Sequence, residues 1–445
     1  MFADGVSKER SSSSLGAVAP WKEPCANKKQ KKTRLSSGGM KKGGKKRKAQ
    51  SKRHSKQKSD LDTDLNDCVV SIKESFVDLS DPRVNRRRRH LLIDIMVIAI
   101  CAVICGAESW KDMRLWAQAQ QSWLKRFLEL PNGIPSRDTL RRVVSRLNPD
   151  EFQACFLRWM KGLSHATNGQ LVALDGKTIR RSMDTANDQK PLHVVSAWAA
   201  EQHICLGQIA VDAKSNEITA IPQLLKLLEL QGALVTIDAM GCQKDIARVI
   251  IQQKGEYCLA VKGNQEHLYQ DISEHFEACL ENDFANVAHK THFTEETAHG
   301  RFEKRYYYTT GVPKALRHRK AWTKLTSIGM VITYRATDED DDPDGEIRYY
   351  INSFPSDAHK LAWASRTHWG IENSLHWIMD VTFNEDQCRV RKDYGTENLS
   401  WLRRFAISLL KNEGTINDTV RAKQRRAMWN IDYLERVLLA TVPTN

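Results

Sequence analysis

The sequence predicts an α/β protein in which a helical N-terminal domain precedes a mixed sheet interrupted by a β-rich insertion. Three observations predict it. Apolar residues between 75 and 165 run at helical length and spacing, as in L-L-I-D-I-M-V-I-A-I-C-A-V-I-C-G-A, 91–107. Short β-rich runs joined by turns begin near 170. Apolar strands then alternate with helical stretches, the signature of parallel crossovers. A length of 445 residues allows about two to four domains.

Residues 1–60 hold 18 Lys or Arg against four Asp or Glu. The chain has 68 basic and 54 acidic residues, so the other 385 residues hold fifty of each sign and are neutral overall. Runs such as K-K-Q-K-K-T-R and K-K-G-G-K-K-R-K lack apolar periodicity, and residues 1–70 are expected to be a disordered leader. It reads either as a DNA-binding arm or nuclear localisation signal, or as a non-structural extension. A nuclear address would follow only in a eukaryotic host; otherwise a cytoplasmic, nucleoid-associated protein is expected. No apolar signal segment opens the chain. Nucleic-acid affinity in the body has to come from local patches.

Residues 75–165 form the expected helical domain, a candidate for DNA binding. Within 91–107 only residues 95–107 are free of charge, whereas about 20 apolar residues are needed to cross a bilayer. A core helix is expected instead, and no membrane partner. Cys101 and Cys105 read as buried thiols on that helix rather than metal ligands. The ten Cys include no C-x-x-C pair, which suits a reducing compartment. A turn at P-N-G-I-P, 131–135, precedes Ser136, the expected N-cap of R-D-T-L-R-R-V-V-S-R-L. Leu140, Val143, Val144 and Leu147 share one face; Arg137, Arg141, Arg142 and Arg146 share the other. A basic helix after a tight turn suits a DNA groove, and equally a solvated face.

Residues 168–411 are expected to form the sheet domain. L-V-A-L-D (171–175), H-V-V-S-A-W-A (193–199) and I-C-L-G-Q-I-A-V-D (204–212) read as a meander. A helix, A-I-P-Q-L-L-K-L-L-E-L, leads to the strand A-L-V-T-I-D (233–238). A second helix, D-I-A-R-V-I-I-Q-Q, leads to Y-C-L-A-V-K (257–262). A three-strand meander followed by crossovers is the order of an RNase H-like mixed sheet. The insertion, at about 264–355, contributes three strands: R-F-E-K-R-Y-Y-Y-T-T, I-G-M-V-I-T-Y-R and I-R-Y-Y-I-N-S. Between them D-E-D-D-D-P-D-G-E, 338–346, reads as a solvated turn rather than a metal cluster. A helix carrying T-H-W-G-I-E-N-S-L-H-W-I-M-D, 367–380, follows, and 412–445 is a helical tail.

Asp175 and Asp238 each close an apolar strand. One such acid is ordinarily a cap for the next turn. Two of them on neighbouring strands would emerge at one sheet edge and repel, and a divalent cation relieves that repulsion. Glu372 supplies a third oxygen if its helix crosses the edge, anchored by Trp369 and Leu375. Position 376 lies one turn on, on the same face, with Asp380 a turn further. Three oxygen donors suit a pair of Mg²⁺ or Mn²⁺ ions, the arrangement that serves phosphoryl transfer. No Gly-rich phosphate loop and no G-x-S-x-G elbow occurs, so nucleotide hydrolysis and serine esterase chemistry have little support.

A-L-D-G-K-T-I-R-R-S, K-S-N-E-I-T-A-I-P, T-I-D-A-M-G-C-Q, L-A-V-K-G-N-Q, H-G-R-F-E-K-R and H-W-G-I-E-N-S-L-H-W together resemble the H-repeat-associated insertion-sequence transposases, a part of the DDE transposase group. The resemblance runs from about 75 to 415 with the motifs in family order. It implies an RNase H-like catalytic core, metal-dependent cleavage of transposon ends, and their joining to target DNA. The expected partners are double-stranded DNA and further copies of the chain. By motif match, Asp175, Asp238 and Glu372 take the places of the D, D and E ligands. Related transposases with a β insertion often carry Arg and Lys flanking the catalytic Glu; here His368 and His376 occupy those positions. They are expected either to contact DNA or to pack. Lys177, Arg180 and Arg181, just after Asp175, and His299 and Arg301 in the insertion read either as further DNA contacts or as solvated positions. The basic leader lies outside the family pattern. Two other readings are a catalytically silent or domesticated DNA-binding derivative and an RNase H-like nuclease that only hydrolyses.

Overall fold

A computed structural model describes residues 70–160, 169–183, 190–211, 216–298, 301–336 and 345–440. The leader up to 69, residues 338–344 of the acidic segment, and His299 lie outside the described residues.

The N-terminal domain is built on α1 (Leu92–Ile104), in which every residue from Asp94 to Ile104 is buried. The run is apolar on all sides because helices surround it. Its one charge, Asp94, accepts a hydrogen bond from the Leu130 backbone N–H at 3.0 Å. Helices α2 (Trp110–Ala119), α3 (Gln121–Leu124), α4 (Arg137–Val144) and α5 (Pro149–Met160) follow. Ser136 caps α4 by accepting from the Thr139 N–H at 3.2 Å. The α4 face carrying Leu140, Val143 and Val144 is buried, while Arg137 and Arg142, and Arg146 just beyond, are exposed.

Nine strands form one sheet in the order β3-β2-β1-β4-β5-β9-β8-β7-β6. Strands β1 (Leu171–Ile179), β2 (Leu192–Ala199) and β3 (Ile204–Val211) are the antiparallel meander. Helix α6 (Glu217–Lys226) crosses to β4 (Leu234–Ile237), which runs parallel to β1; α7 (Lys244–Gln252) crosses to β5 (Glu256–Val261), parallel to β4. Two right-sized crossovers after a meander give the RNase H-like order 3-2-1-4-5. One detail differs from the sequence reading. β1 does not end at Asp175: it continues to Ile179 along β2, and only its pairing with β4 stops, at Leu174↔Ile237.

The insertion extends the same sheet. Helix α8 (Glu266–Glu281) buries Leu268, Ile272 and Phe276 and leads to β6 (His289–Ala298), β7 (Arg301–Gly311), β8 (Ser327–Ala336) and β9 (Glu346–Asn352). β9 pairs antiparallel with β5, Leu259↔Ile351, so the insertion has four strands, not three, and shares the core's hydrogen-bond ladder. The chain continues with α9 (Ala358–Ile371), a π-helical turn (Glu372–His376), α10 (Trp377–Val381), α11 (Gly395–Asn412), α12 (Val420–Trp429) and α13 (Ile431–Leu439). The tail returns to the N-terminal domain, where the Trp123 indole N–H donates to Glu435 at 2.7 Å. Among the described residues, eight Cys are buried free thiols, and no helix is long and apolar enough to cross a membrane.

Candidate functional site

The register Leu174↔Ile237 leaves Asp175 and Asp238 as the next residues on adjacent parallel strands. The sheet therefore sets the two residues side by side, at one edge of the cleft. Each also plays the local part that an isolated acid plays. Asp238 Oδ1 accepts from the N–H groups of Met240 and Gly241, at 3.1 and 3.4 Å, and so caps a 3-10 turn; Asp175 Oδ1 accepts from the Gly176 N–H at 2.9 Å. The cap and the cluster coexist because each carboxylate has a second oxygen.

Helix α9 crosses β1, β4 and β5, and its end brings Glu372 to the same cleft. Asp175, Asp238 and Glu372 line one cleft of about 800 Å³, with Lys262, Arg348, His368 and Trp369 on its walls. The buried anchors of this helix are Leu361, Ala364, Ile371 and Leu375. Trp369 does not anchor it as the sequence suggested: it is 51% exposed, and its ring lies 4.4 Å beneath the Arg348 guanidinium. The helix widens to a π turn at Glu372–His376, a local irregularity that often marks functional sites. His376, buried, holds Nδ1 3.1 Å from Glu372 Oε2 and 3.4 Å from Asp175 Oδ2.

The electrostatics follow from this crowding. Burial pushes the Asp175 carboxyl up to about 6; the charges of Asp238 and Glu217 push the same way, against His376 and the Gly176 N–H. Burial, with Glu217 adding, also raises Asp238 above the usual range, while Lys262 and two backbone N–H groups oppose. The hydrogen bond from His376 lowers Glu372. His368 is driven down to about 4, first by burial and then by the charges of Arg348 and His376; its Nδ1 meets the Thr236 hydroxyl at 3.1 Å. A ring that stays neutral and faces Thr236 is a weak partner for phosphate, so packing is the better account of His368.

Other expected contacts fare differently. The Lys177 ammonium is buried against Asp380, at 2.6 and 2.8 Å, and Asp386, at 3.5 Å. It is engaged within the protein and not presented to DNA. Its pairing ties β1, two residues past Asp175, to α10, eight residues past Glu372. Arg180 is exposed, with its Nε 3.3 Å from Asp386 Oδ2 and its backbone N–H donating to Asp386 Oδ1 at 3.3 Å, and Arg181 is exposed. Arg301 lies at the start of β7, its side chain outside the described set, and His299 is not described.

Sequence reading missed Glu217, the first residue of α6. One of its oxygens pairs with His193 Nε2 at 2.6 Å, and His193 Nδ1 meets the Thr178 hydroxyl at 2.8 Å. A Cβ on Gly176 would stand 2.2 Å from that carboxylate, so Gly176 lets the fourth acid close on β1 beside Asp175. The signal was present in K-S-N-E-I, an acid directly after a helix cap, but nothing in spacing alone aims it at Asp175. Arg348 was also missed, because it lies mid-strand in the insertion and reaches the cleft only through the β5–β9 pairing. A second cleft of about 740 Å³ shares Arg348, Trp369 and Glu372 and continues past Arg305, Arg335 and Arg366.

The sequence profile described as Transposase DDE domain matches residues 167–410, and the one described as DDE_Tnp_1-associated matches 73–160. YncI of Escherichia coli O157:H7 is 41% identical over 372 residues, covering 83% of this chain and 95% of that protein. The H repeat-associated YhhI of Escherichia coli K12 is 39% identical over 373 residues, covering 83% and 98%. Both carry provisional transposase names. A solved piggyBac transposase synaptic complex with hairpin DNA aligns with a TM-score of 0.38 and 11% identity over 80% of this chain and 75% of that one, a likeness too slight to bear an argument.

Proposed function

The chain belongs to the DDE-domain transposase family, and from that premise we propose that it cuts insertion-sequence ends and joins them to target DNA by metal-dependent phosphoryl transfer. The observation that carries the reading is the convergence of Asp175, Asp238 and Glu372 on one cleft from three separate segments. The donor set suits hard divalent cations: carboxylate oxygens, two of them on carboxyls whose charge is disfavoured without a cation nearby. Asp175, Asp238 and Glu372 would hold Mg²⁺ or Mn²⁺. Such ions, when bound, stabilise an attacking oxygen and a leaving oxygen.

The chain's own groups do the rest. Asp238 Oδ2 makes no hydrogen bond among the described residues, so one oxygen stays available while the other keeps the turn in place. Lys262 and Arg348 on the walls, with Arg180 and Arg181 at the rim of β1, offer positive charge to phosphates. The Lys177–Asp380 pair keeps Glu372's helix in register with β1. In the first step a water oxygen bonds to phosphorus at the element's end and a 3′-hydroxyl leaves. In the second that hydroxyl bonds to a target phosphorus and a new 3′-hydroxyl leaves, so the bonds made and broken balance.

The test uses the full chain, DNA from both edges of its gene and a plasmid target. Mg²⁺ or Mn²⁺ should yield nicked ends and covalently joined products, and EDTA should remove both. Nicks without joining would identify a nuclease. A mobility shift without any cut would identify a silent DNA-binding derivative. Either result removes strand transfer from the account.

A further inference from the structure

Building on the metal-dependent reading above, we propose that His376 is a protein ligand, through Nδ1, of the cation held between Asp175 and Glu372. Among the described residues, the one cluster whose donor atoms could share an ion is Asp175, Glu372 and His376, all within 4.8 Å of one another. Asp238 does not join it. The individual separations suit coordination. Nδ1 lies 3.1 Å from the Glu372 oxygen and 3.4 Å from the Asp175 oxygen. Octahedral coordination at about 2.1 Å sets neighbouring donors about 3 Å apart. Nδ1 thus stands at about the spacing of a neighbouring donor from each of the two carboxylates.

The ring is committed to this direction. Its side chain is 5% exposed, so it cannot swing into solvent, and Nδ1 faces the two carboxylates. Nε2 is buried with no hydrogen-bond partner among the described residues. No hydrogen bond at Nε2 fixes the tautomer: without a cation Nδ1 faces the carboxylates as a donor, and a cation would take its lone pair with the proton carried on Nε2. The π turn matters here, because it carries both Glu372 and His376 and sets their mutual spacing.

The consequence is chemical asymmetry. An ion held by Asp175 and Asp238 would meet oxygen donors only. One held by Asp175 and Glu372 would meet two oxygens and an imidazole nitrogen, a set that favours Mn²⁺ over Mg²⁺.

Pulsed EPR on the full chain loaded with Mn²⁺ tests this without relying on activity. Expected is nitrogen modulation from a directly bound imidazole, converted to the ¹⁵N pattern when only histidine is ¹⁵N-labelled. It should vanish in His376→Gln and persist in His368→Gln. Mn²⁺ affinity should fall at least about tenfold in His376→Gln, and Mg²⁺ affinity less. Should His376→Gln fail to fold, the labelled wild type and His368→Gln decide the matter, since loss of modulation in His368→Gln assigns the nitrogen elsewhere. Bound Mn²⁺ with no histidine modulation overturns the proposal and leaves the carboxylate site standing. Absence of Mn²⁺ binding at millimolar concentration overturns both.

Discussion

Asp175→Asn is expected to lower strand transfer on the order of a thousandfold, about 4 kcal/mol of barrier, with DNA affinity changed less than about threefold. The substitution is close to isosteric. Asn can still accept the Gly176 N–H through its amide oxygen, so the strand keeps its local hydrogen bond. What it removes is the negative charge shared by both proposed cation positions. The same change should not lower the melting temperature of the metal-free protein. Burial pushes the Asp175 carboxyl up to about 6 in the fold, above the ordinary carboxylate range. Its ionisation therefore disfavours the folded state, increasingly as pH rises from the unfolded value to the folded one and fully above that. Loss of activity with equal or higher stability is the pattern of a functional acid. Measured together, a strand-transfer assay and a melt in EDTA check it. Near-wild-type joining by Asp175→Asn would take this residue out of the site.

Glu385→Ala should lower stability by about 3–5 kcal/mol. Glu385 and Arg404 are both fully buried, their Oε1 and guanidinium 3.2 Å apart. Ser400 donates to the same oxygen at 2.8 Å, and Arg404 Nε donates to Ser196 at 3.0 Å. Ser196 is the cross-strand partner of Asp175, so the network fastens α11 to the sheet beneath the cleft. Deleting the acid leaves a buried guanidinium without its counter-charge. Glu385→Leu with Arg404→Met should recover much of the loss, because two apolar side chains of similar volume avoid the stranded charge. Denaturant melts of the three proteins check this. A loss under about 1 kcal/mol in Glu385→Ala would show that the pair contributes little.

The core sheet was legible because its strands are buried on both faces or alternate cleanly. The meander and both crossovers appear where apolar runs and helical runs predicted them. β6 was not legible: H-K-T-H-F-T-E-E-T-A forms an edge strand whose half-buried positions, His292 and Thr294, are polar, so it has no apolar alternation to read. The merging of the insertion with the core sheet rests on the Leu259↔Ile351 pairing between residues 92 apart, which local pattern cannot encode. At the site, Asp238 was legible as a strand-end acid, and Asp175 as an acid closing an apolar run, although its strand continues to Ile179. Glu372 was legible as an odd acid among aromatics, though the reason given was wrong for Trp369, which faces solvent and Arg348. Lys177 looked like a free cation next to a catalytic acid; only the fold shows Asp380 and Asp386 closing on it. The closeness of Glu217 depends on a missing side chain at Gly176, a property of tertiary contact rather than of spacing.

The central claim is that carboxylates at 175, 238 and 372 share divalent cations. Crystals of the full chain soaked in Mn²⁺ and measured at the manganese absorption edge address it directly. The account predicts anomalous density within about 2.3 Å of an Asp175 oxygen and of an oxygen from Asp238 or Glu372. Manganese bound only elsewhere, with none at Asp175 at millimolar concentration, would contradict it.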